Sequence, residues 1–205
     1  VYLRLVQDVL QQGKRAIVLV PEIVLTPQMM QKFSSYFGDK VAMLHSSLRM
    51  TERYDQWKRI RRGEVQVVLG TRSAIFAPLK NLGLIILDEE QEHSYKSENS
   101  PRYDAREVAI FRGMKERALV LLGSATPSIE SMYRAKSGIY RLYRLQNRYN
   151  GRPLPEVSIV DMRDELKMGN DLSLSYPIRE AIHDTAHAGK QSILLLNRRG
   201  ASRAL

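Results

Sequence analysis

Leu84-Ile85-Ile86-Leu87-Asp88-Glu89-Glu90-Gln91 sets four apolar residues against three acids. Four apolar residues in a row suit a strand buried on both faces, as in parallel sheets covered by helices. Carboxylates where such a strand ends lie in the crevice at the sheet's carboxyl edge, where open α/β folds bind ligands. One acid there can hold Mg²⁺ on a nucleotide while its neighbour orients or deprotonates a water. Taken alone, the same residues also read as a strand followed by a solvated acidic turn.

Working outward, residues 16–20, 41–44, 65–69 and 118–122 form further apolar runs of strand length. Helical spacing fills the intervals 2–12, 26–37, 51–62, 104–115 and 128–135. Thr26 reads as an N-cap ahead of Pro27, and Gly13 and Gly70 read as stops. Strands alternating with helices at this rhythm predict an α/β fold with a mostly parallel, doubly wound sheet. The character changes near Arg141, and Gly151-Arg152-Pro153-Leu154-Pro155 reads as a connector. Beyond it, strands at 157–160 and 192–196 flank a helix at 177–188. The expected division is therefore a first lobe at 1–140, a connector at 141–156 and an unfinished second lobe at 157–205.

The 205 residues carry 32 Lys and Arg against 22 Asp and Glu, a formal net charge of +10. Basic residues cluster at Lys58-Arg59-Ile60-Arg61-Arg62, around 141–152 and at Asn197-Arg198-Arg199. This favours a polyanionic partner such as nucleic acid, although solvated basic faces are common. No apolar stretch approaches the length that spans a bilayer, so no membrane partner is expected. The absence of cysteine rules out a disulfide framework and a thiolate metal site within the chain. His45 and His93 are too scattered to suggest metal ligands, and Trp57 reads as packing.

Several strand ends share one theme: Pro21-Glu22, Gly70-Thr71-Arg72-Ser73, the acids, and Gly123-Ser124-Ala125-Thr126. In a parallel sheet these ends lie along one edge, where a nucleotide and an extended polymer could share a composite site. The acids with Ser124-Ala125-Thr126 resemble the Walker B and Ser-Ala-Thr motifs of superfamily 2 helicases. Further segments narrow the likeness: Val20-Pro21-Glu22-Ile23-Val24-Leu25-Thr26-Pro27-Gln28, Leu44-His45-Ser46-Ser47, Leu69-Gly70-Thr71-Arg72-Ser73-Ala74, Leu121-Leu122-Gly123-Ser124-Ala125-Thr126-Pro127-Ser128 and Leu196-Asn197-Arg198-Arg199-Gly200. In this order they resemble the PriA (primosomal protein N′) family of replication-restart DNA helicases across nearly the whole chain.

The resemblance implies a RecA-like first lobe followed by the truncated start of a second, with ATP and Mg²⁺ as cofactors. It assigns Asp88 to the Mg²⁺ of the nucleotide and Glu89 to the hydrolytic water. Gln91 stands where the family usually has His; it can donate and accept hydrogen bonds but cannot become cationic. Ser124 and Thr126 match the motif that couples the nucleotide site to strand movement, though the same turn also reads as a helix cap. Thr26, Gln28, Thr71 and Arg72 match segments that contact the sugar-phosphate backbone. The segment containing Asn197, Arg198 and Arg199 falls in the second lobe and joins the nucleic-acid-binding set. His93, Tyr95, Lys96, Arg102 and Tyr103 interleave aromatics with cations, a pattern suited to unpaired bases, or form an ordinary loop. By family likeness, that loop reports DNA binding to the ATP site.

No G-x-x-x-x-G-K-[ST] phosphate loop occurs in the chain. Val1-Tyr2-Leu3-Arg4 resembles the residues directly after that loop in the family, so the chain is expected to be an internal fragment that is inactive alone. Zn²⁺ is expected only in the full-length parent, in a cysteine-rich insertion beyond this chain. The parent is expected in the bacterial cytoplasm, associated with the nucleoid. Its expected partners are branched forks, single-stranded DNA, primosome proteins and single-stranded-DNA-binding protein. Two other classes compete. One is a non-catalytic nucleic-acid-binding module on a degenerate ATPase fold. The other is a metal-dependent nuclease using Asp88, Glu89 and Glu90, with Glu22 as the remaining candidate acid.

Overall fold

Five apolar runs pair into one parallel sheet in a computed structural model that describes residues 1–147, 151, 153 and 155–195. The strands are β1 (Arg15–Leu19), β2 (Val41–Leu44), β3 (Val67–Gly70), β4 (Leu82–Leu87) and β5 (Leu119–Leu122). Their spatial order is β2-β3-β1-β4-β5. The register sets Leu44, Gly70, Leu19, Leu87 and Leu122 in one row across the sheet. The residues directly after that row therefore share the carboxyl edge: His45, Thr71, Val20, Asp88 and Gly123.

Helices cover both faces. α1 (Tyr2–Gln11) and α2 (Pro27–Phe37) bring Val6, Phe33 and Phe37 against Ala16, Val18, Leu69, Leu84 and Ile86. On the other face, α3 (Met50–Arg62) and α4 (Ala105–Glu116) bring Ile60, Ala105 and Ala109 against Ile17, Leu19, Val68, Ile85 and Leu87. Successive strand side chains point to opposite faces, so a run with helices on both sides must be apolar throughout. β4 meets that demand, being buried over its whole length. Burying each of its Leu and Ile side chains contributes roughly 1.5–3 kcal/mol, which fixes the strand end where the acids emerge.

Caps set the helix starts that face this edge. Thr26 Oγ1 accepts from the Met29 N–H at 3.2 Å, and Asp104 Oδ1 accepts from the Arg106 N–H at 2.9 Å. Ser128 Oγ accepts from the Ser131 N–H at 3.2 Å to open α5 (Ile129–Lys136). Each cap satisfies a helix N–H that has no partner within its own helix. A tight 3₁₀ turn at Arg72–Phe76, not anticipated from periodicity, buries Ala74 and Ile75 beneath the sheet.

The chain divides into two compact units, Val1–Arg144 and Leu145–Leu205. Within the second lie α6 (Met162–Lys167) and α7 (Tyr176–His187). Buried Glu165 joins them, accepting from Asn170 Nδ2 at 2.6 Å and from the Tyr176 N–H at 2.7 Å. The strands expected at 157–160 and 192–196 do not form among the described residues. A strand needs a ladder partner, and neither run has one here. Ile159 is 94% exposed and Ile193 98%.

Candidate active site

Asp88 leaves β4 with its backbone N–H donating to the Leu19 carbonyl at 2.9 Å, so the ladder holds it to the last residue. Glu89 then takes a left-handed backbone, φ 47°. For a residue with a Cβ this costs roughly 1–2 kcal/mol, and such strain gathers at functional turns. The kink separates the acids: Asp88 and Glu89 are half-buried at the edge, and Glu90 turns inward.

Two tyrosines hold Asp88. The Tyr2 hydroxyl donates to Asp88 Oδ1 at 2.7 Å, and the Tyr95 hydroxyl donates to the Asp88 carbonyl at 2.7 Å. Burial, reinforced by the Asp88 hydrogen bond and charge, pushes the Tyr2 phenol well above its ordinary range. Burial and the Asp88 charge do the same to Tyr95. Both therefore remain protonated donors at neutral pH.

Gln91 ties Glu89 to the Ser-Ala-Thr turn. Its Nε2 donates to Glu89 Oε2 at 2.9 Å, and its Oε1 accepts from Ser124 Oγ at 2.6 Å. Ser124 Oγ in turn accepts from the Thr126 N–H at 2.9 Å. Ser124 is linked to Glu89 through Gln91, and Ser128 is the residue that caps α5.

Glu90 is 1% exposed and fully committed. Its carboxylate accepts from the Ser128 N–H at 2.7 Å, from Ser128 Oγ at 3.1 Å and from Ser131 Oγ at 3.0 Å. Arg106 stands 3.6 Å away and also clasps Asp104 at 2.7 Å. Burial would raise the Asp104 carboxyl, but hydrogen bonds from Arg106 prevail and hold it below the usual carboxylate range. The Arg106 guanidinium is pushed up, chiefly by the same Asp104 hydrogen bond. Glu90 thus anchors α5 and is not available as a third metal ligand, which removes the acid trio that the nuclease reading required. Among the described residues no group of three or more His, Cys, Asp or Glu could hold a metal ion by itself. Asp88 is half-buried, with Oδ1 taken by the Tyr2 hydroxyl.

The other half of the edge is open. A cleft of about 280 Å³ lies over the ends of β1, β2 and β3, lined by residues including Glu22, Arg53, Thr71, Arg72 and Ser94. Thr71 is buried, its N–H donating to the Leu44 carbonyl at 3.0 Å. Arg72 Nη1 donates to the carbonyls of Ser94 at 3.2 Å and Lys96 at 2.6 Å, while Nε is buried without a hydrogen-bond partner. Arg72 therefore fastens the loop after the acids as well as lining the cleft. Thr26 and Gln28 are exposed at the start of α2, and Thr26 spends its oxygen as the cap.

Within the loop, Lys96 and Arg102 are exposed. Tyr103 is half-buried, edge-on to Phe76 with centroids 4.9 Å apart. Tyr95 departs from expectation. It is fully buried, so its ring packs in the core and presents no face to a base. Asn197, Arg198 and Arg199 lie outside the described residues. The contact of Tyr2 with Asp88 and the inward turn of Glu90 could not be read from the sequence: helical spacing says nothing of a hydroxyl's distant partner, and an acid run does not say which member turns inward.

A model for DEAD/DEAH box helicases matches residues 1–135. The chain belongs to the DEAD/DEAH box helicase family. Its parallel sheet with helices on both faces is the RecA-like fold of such helicase domains. The chain is 53% identical over 202 residues to the replication restart protein PriA of Bacillus subtilis (strain 168), covering 98% of this chain and 25% of that protein. To PriA of Synechocystis sp. it is 48% identical over 207 residues, covering 98% and 25%. To PriA of Treponema pallidum the identity is 46% over 202 residues, covering 98% and 30%. The chain thus spans 25–30% of the length of these curated relatives. No helix among its described residues is long and apolar enough to cross a membrane.

Proposed function

We propose that this chain is an internal part of an ATP-driven DNA helicase acting in replication restart, and that the β4–β5 edge is half of its ATPase centre. The observation that carries this reading is the Glu89–Gln91–Ser124 chain of hydrogen bonds beside Asp88, which joins the acids to the Ser-Ala-Thr turn. Asp88 would hold the Mg²⁺ of the nucleotide, and Glu89 would orient and activate the attacking water. When bound, the ion supplies neutralisation of phosphate charge; the chain's own residues supply position. Gln91 keeps Glu89 turned toward Ser124, so a shift of the turn moves the group that addresses the water.

The fold supports a phosphate loop on the amino side of α1. β1–α2–β2 crosses from the centre of the sheet toward β2 over the α1/α2 face. A strand leading into α1 by a crossover of the same hand would pair with the free edge of β5. Its connecting loop would then arrive beside Asp88, where Tyr2 already lies. On this reading, residues 1–140 are the first lobe, 141–156 a connector and 157–205 the start of a second lobe. The compact units meeting between Arg144 and Leu145 support that division.

The open cleft with Thr71 and Arg72, together with Thr26, Gln28, Lys96, Arg102 and Tyr103, would carry a DNA strand by backbone contacts. The net charge of +10 supports a polyanionic partner. Branched forks, single-stranded DNA, primosome proteins and single-stranded-DNA-binding protein are the proposed partners of the parent in the bacterial cytoplasm. Zn²⁺ would be held only by parts of the parent beyond this chain.

The test is DNA-stimulated ATP hydrolysis by the full-length parent with and without Asp88→Ala. The expected loss is roughly 10²–10³-fold, the scale of removing one preorganised charge-stabilising group. A variant rate within a few-fold of the parent's would overturn the assignment. The 205-residue chain by itself is expected to stay at background hydrolysis, and a rate close to that of the parent would contradict its half-site character.

A further inference from the structure

Tyr2 stands in the first turn of α1, 86 positions from Asp88, yet its hydroxyl donates to Asp88 Oδ1 at 2.7 Å. An amphipathic helix needs only to bury such a ring; nothing in its periodicity requires the hydroxyl to meet a carboxylate at the edge of the sheet. Gly123, the first residue after β5, gives independent support. A Cβ there would overlap the Tyr2 hydroxyl oxygen and would come within 3.6 Å of Asp88 Oδ1. Gly123 is not among the glycines with positive φ, so its backbone is open to any residue. The local demand for glycine is therefore the space that the phenol fills. Tyr95 completes the arrangement from the main-chain side, donating to the Asp88 carbonyl at 2.7 Å.

We infer that Tyr2 is a positioning residue that fixes the Asp88 carboxylate for a divalent cation carried on nucleotide phosphate, with Gly123 keeping the room it needs. The inference rests on the reading of Asp88 as the cation-holding acid. A carboxylate on a loop end can rotate about its χ angles, and each rotation moves the oxygen that faces the ion. A hydrogen bond to one oxygen sets the plane of the group and leaves the other for the ion. Partners of this kind govern metal affinity without touching the metal. The phenol loses little entropy in the role, because its ring is already packed against the sheet.

The experiment uses the full-length protein carrying this chain, with Mn²⁺ binding followed by electron paramagnetic resonance in the presence of ADP. Tyr2→Phe keeps the ring and removes the donor, and should weaken Mn²⁺ binding about tenfold. Gly123→Ala should weaken it in the same direction. The two together should fall short of the product of the single effects, because both act through one contact. A thermal melt is recorded for each variant. Tyr2→Phe that lowers the melting temperature and leaves Mn²⁺ binding unchanged would assign the tyrosine to packing alone and overturn the inference. Asp88→Asn separates the two levels. If it abolishes Mn²⁺ binding while Tyr2→Phe binds like the parent, the positioning role fails and the reading of Asp88 stands. If Asp88→Asn binds normally, the reading of Asp88 fails and the positioning role falls with it.

Discussion

At the β1–β4–β5 end of the carboxyl edge, side chains are bonded to one another; at the β2–β3–β1 end they line a cleft of about 280 Å³. Asp88, Glu89, Gln91 and Ser124 are held through hydrogen bonds of 2.6–2.9 Å. Across the edge, Thr71 and Arg72 border open space, and Thr26 and Gln28 stand exposed at the start of α2. On the proposed function, the contrast follows from what each half would have to do. Phosphoryl chemistry demands fixed distances, and a polymer that must pass through demands room and sequence-independent contacts. The loop from 93 to 96 belongs to both halves. Arg72 holds its carbonyls from the cleft, and its Tyr95 holds Asp88 from below.

The strongest way to break the bonded half is Glu90→Ala. Removing this acid leaves the Ser128 and Ser131 donors and Arg106 without their shared acceptor, which should cost about 3 kcal/mol in a denaturant unfolding curve. A cost under about 0.5 kcal/mol, the range of ordinary surface changes, would mean that α5 is anchored by something else. Gln91→Leu cuts both links of the relay while keeping much of its volume. In the parent it should lower the DNA-stimulated ATPase rate about tenfold, the worth of one to two hydrogen bonds. An unchanged stimulation would detach Ser124 from the acids.

The open half should respond more weakly and more uniformly. Arg102→Ala is expected to reduce the salt-dependence slope for single-stranded DNA by about 0.7, alike for all sequences tested. An effect confined to one sequence would point to base reading and away from backbone contact. The smallest effect concerns acid. Asp104 titrates below its ordinary value because Arg106 outweighs burial. Its contribution is therefore present above the unfolded pKa of about 3.9 and is lost as pH falls through the folded value. Asp104→Asn keeps the cap and should flatten that acid limb of a stability-versus-pH curve while leaving neutral pH less affected. An acid limb as steep as the parent's would remove Asp104 from the account.

Much of the bonded half was legible in sequence because its scaffold is local. The run at Leu84 needed only composition to be placed in a doubly buried strand, and Asp104 and Ser128 mark helix starts by residue type. Tyr2 and Glu90 were not legible, because their partners lie 86 and 38 to 41 positions away and nothing in their own neighbourhoods names them. Tyr95 was misread for a related reason. A loop of polar composition gives no sign that one of its aromatics is drawn under the sheet by a hydrogen bond to Asp88. Beyond Leu145, the apolar runs at 157–160 and 192–195 have strand composition, but composition cannot supply a pairing partner.

On the proposed function, Glu89 addresses the water that attacks ATP, held for that task by Gln91. The decisive variant is Glu89→Gln in the full-length protein, with ATP binding and single-turnover hydrolysis measured on the same preparation. ATP binding is expected close to the parent's and hydrolysis slower by roughly 10²–10³-fold. Hydrolysis at the parent's rate would contradict it.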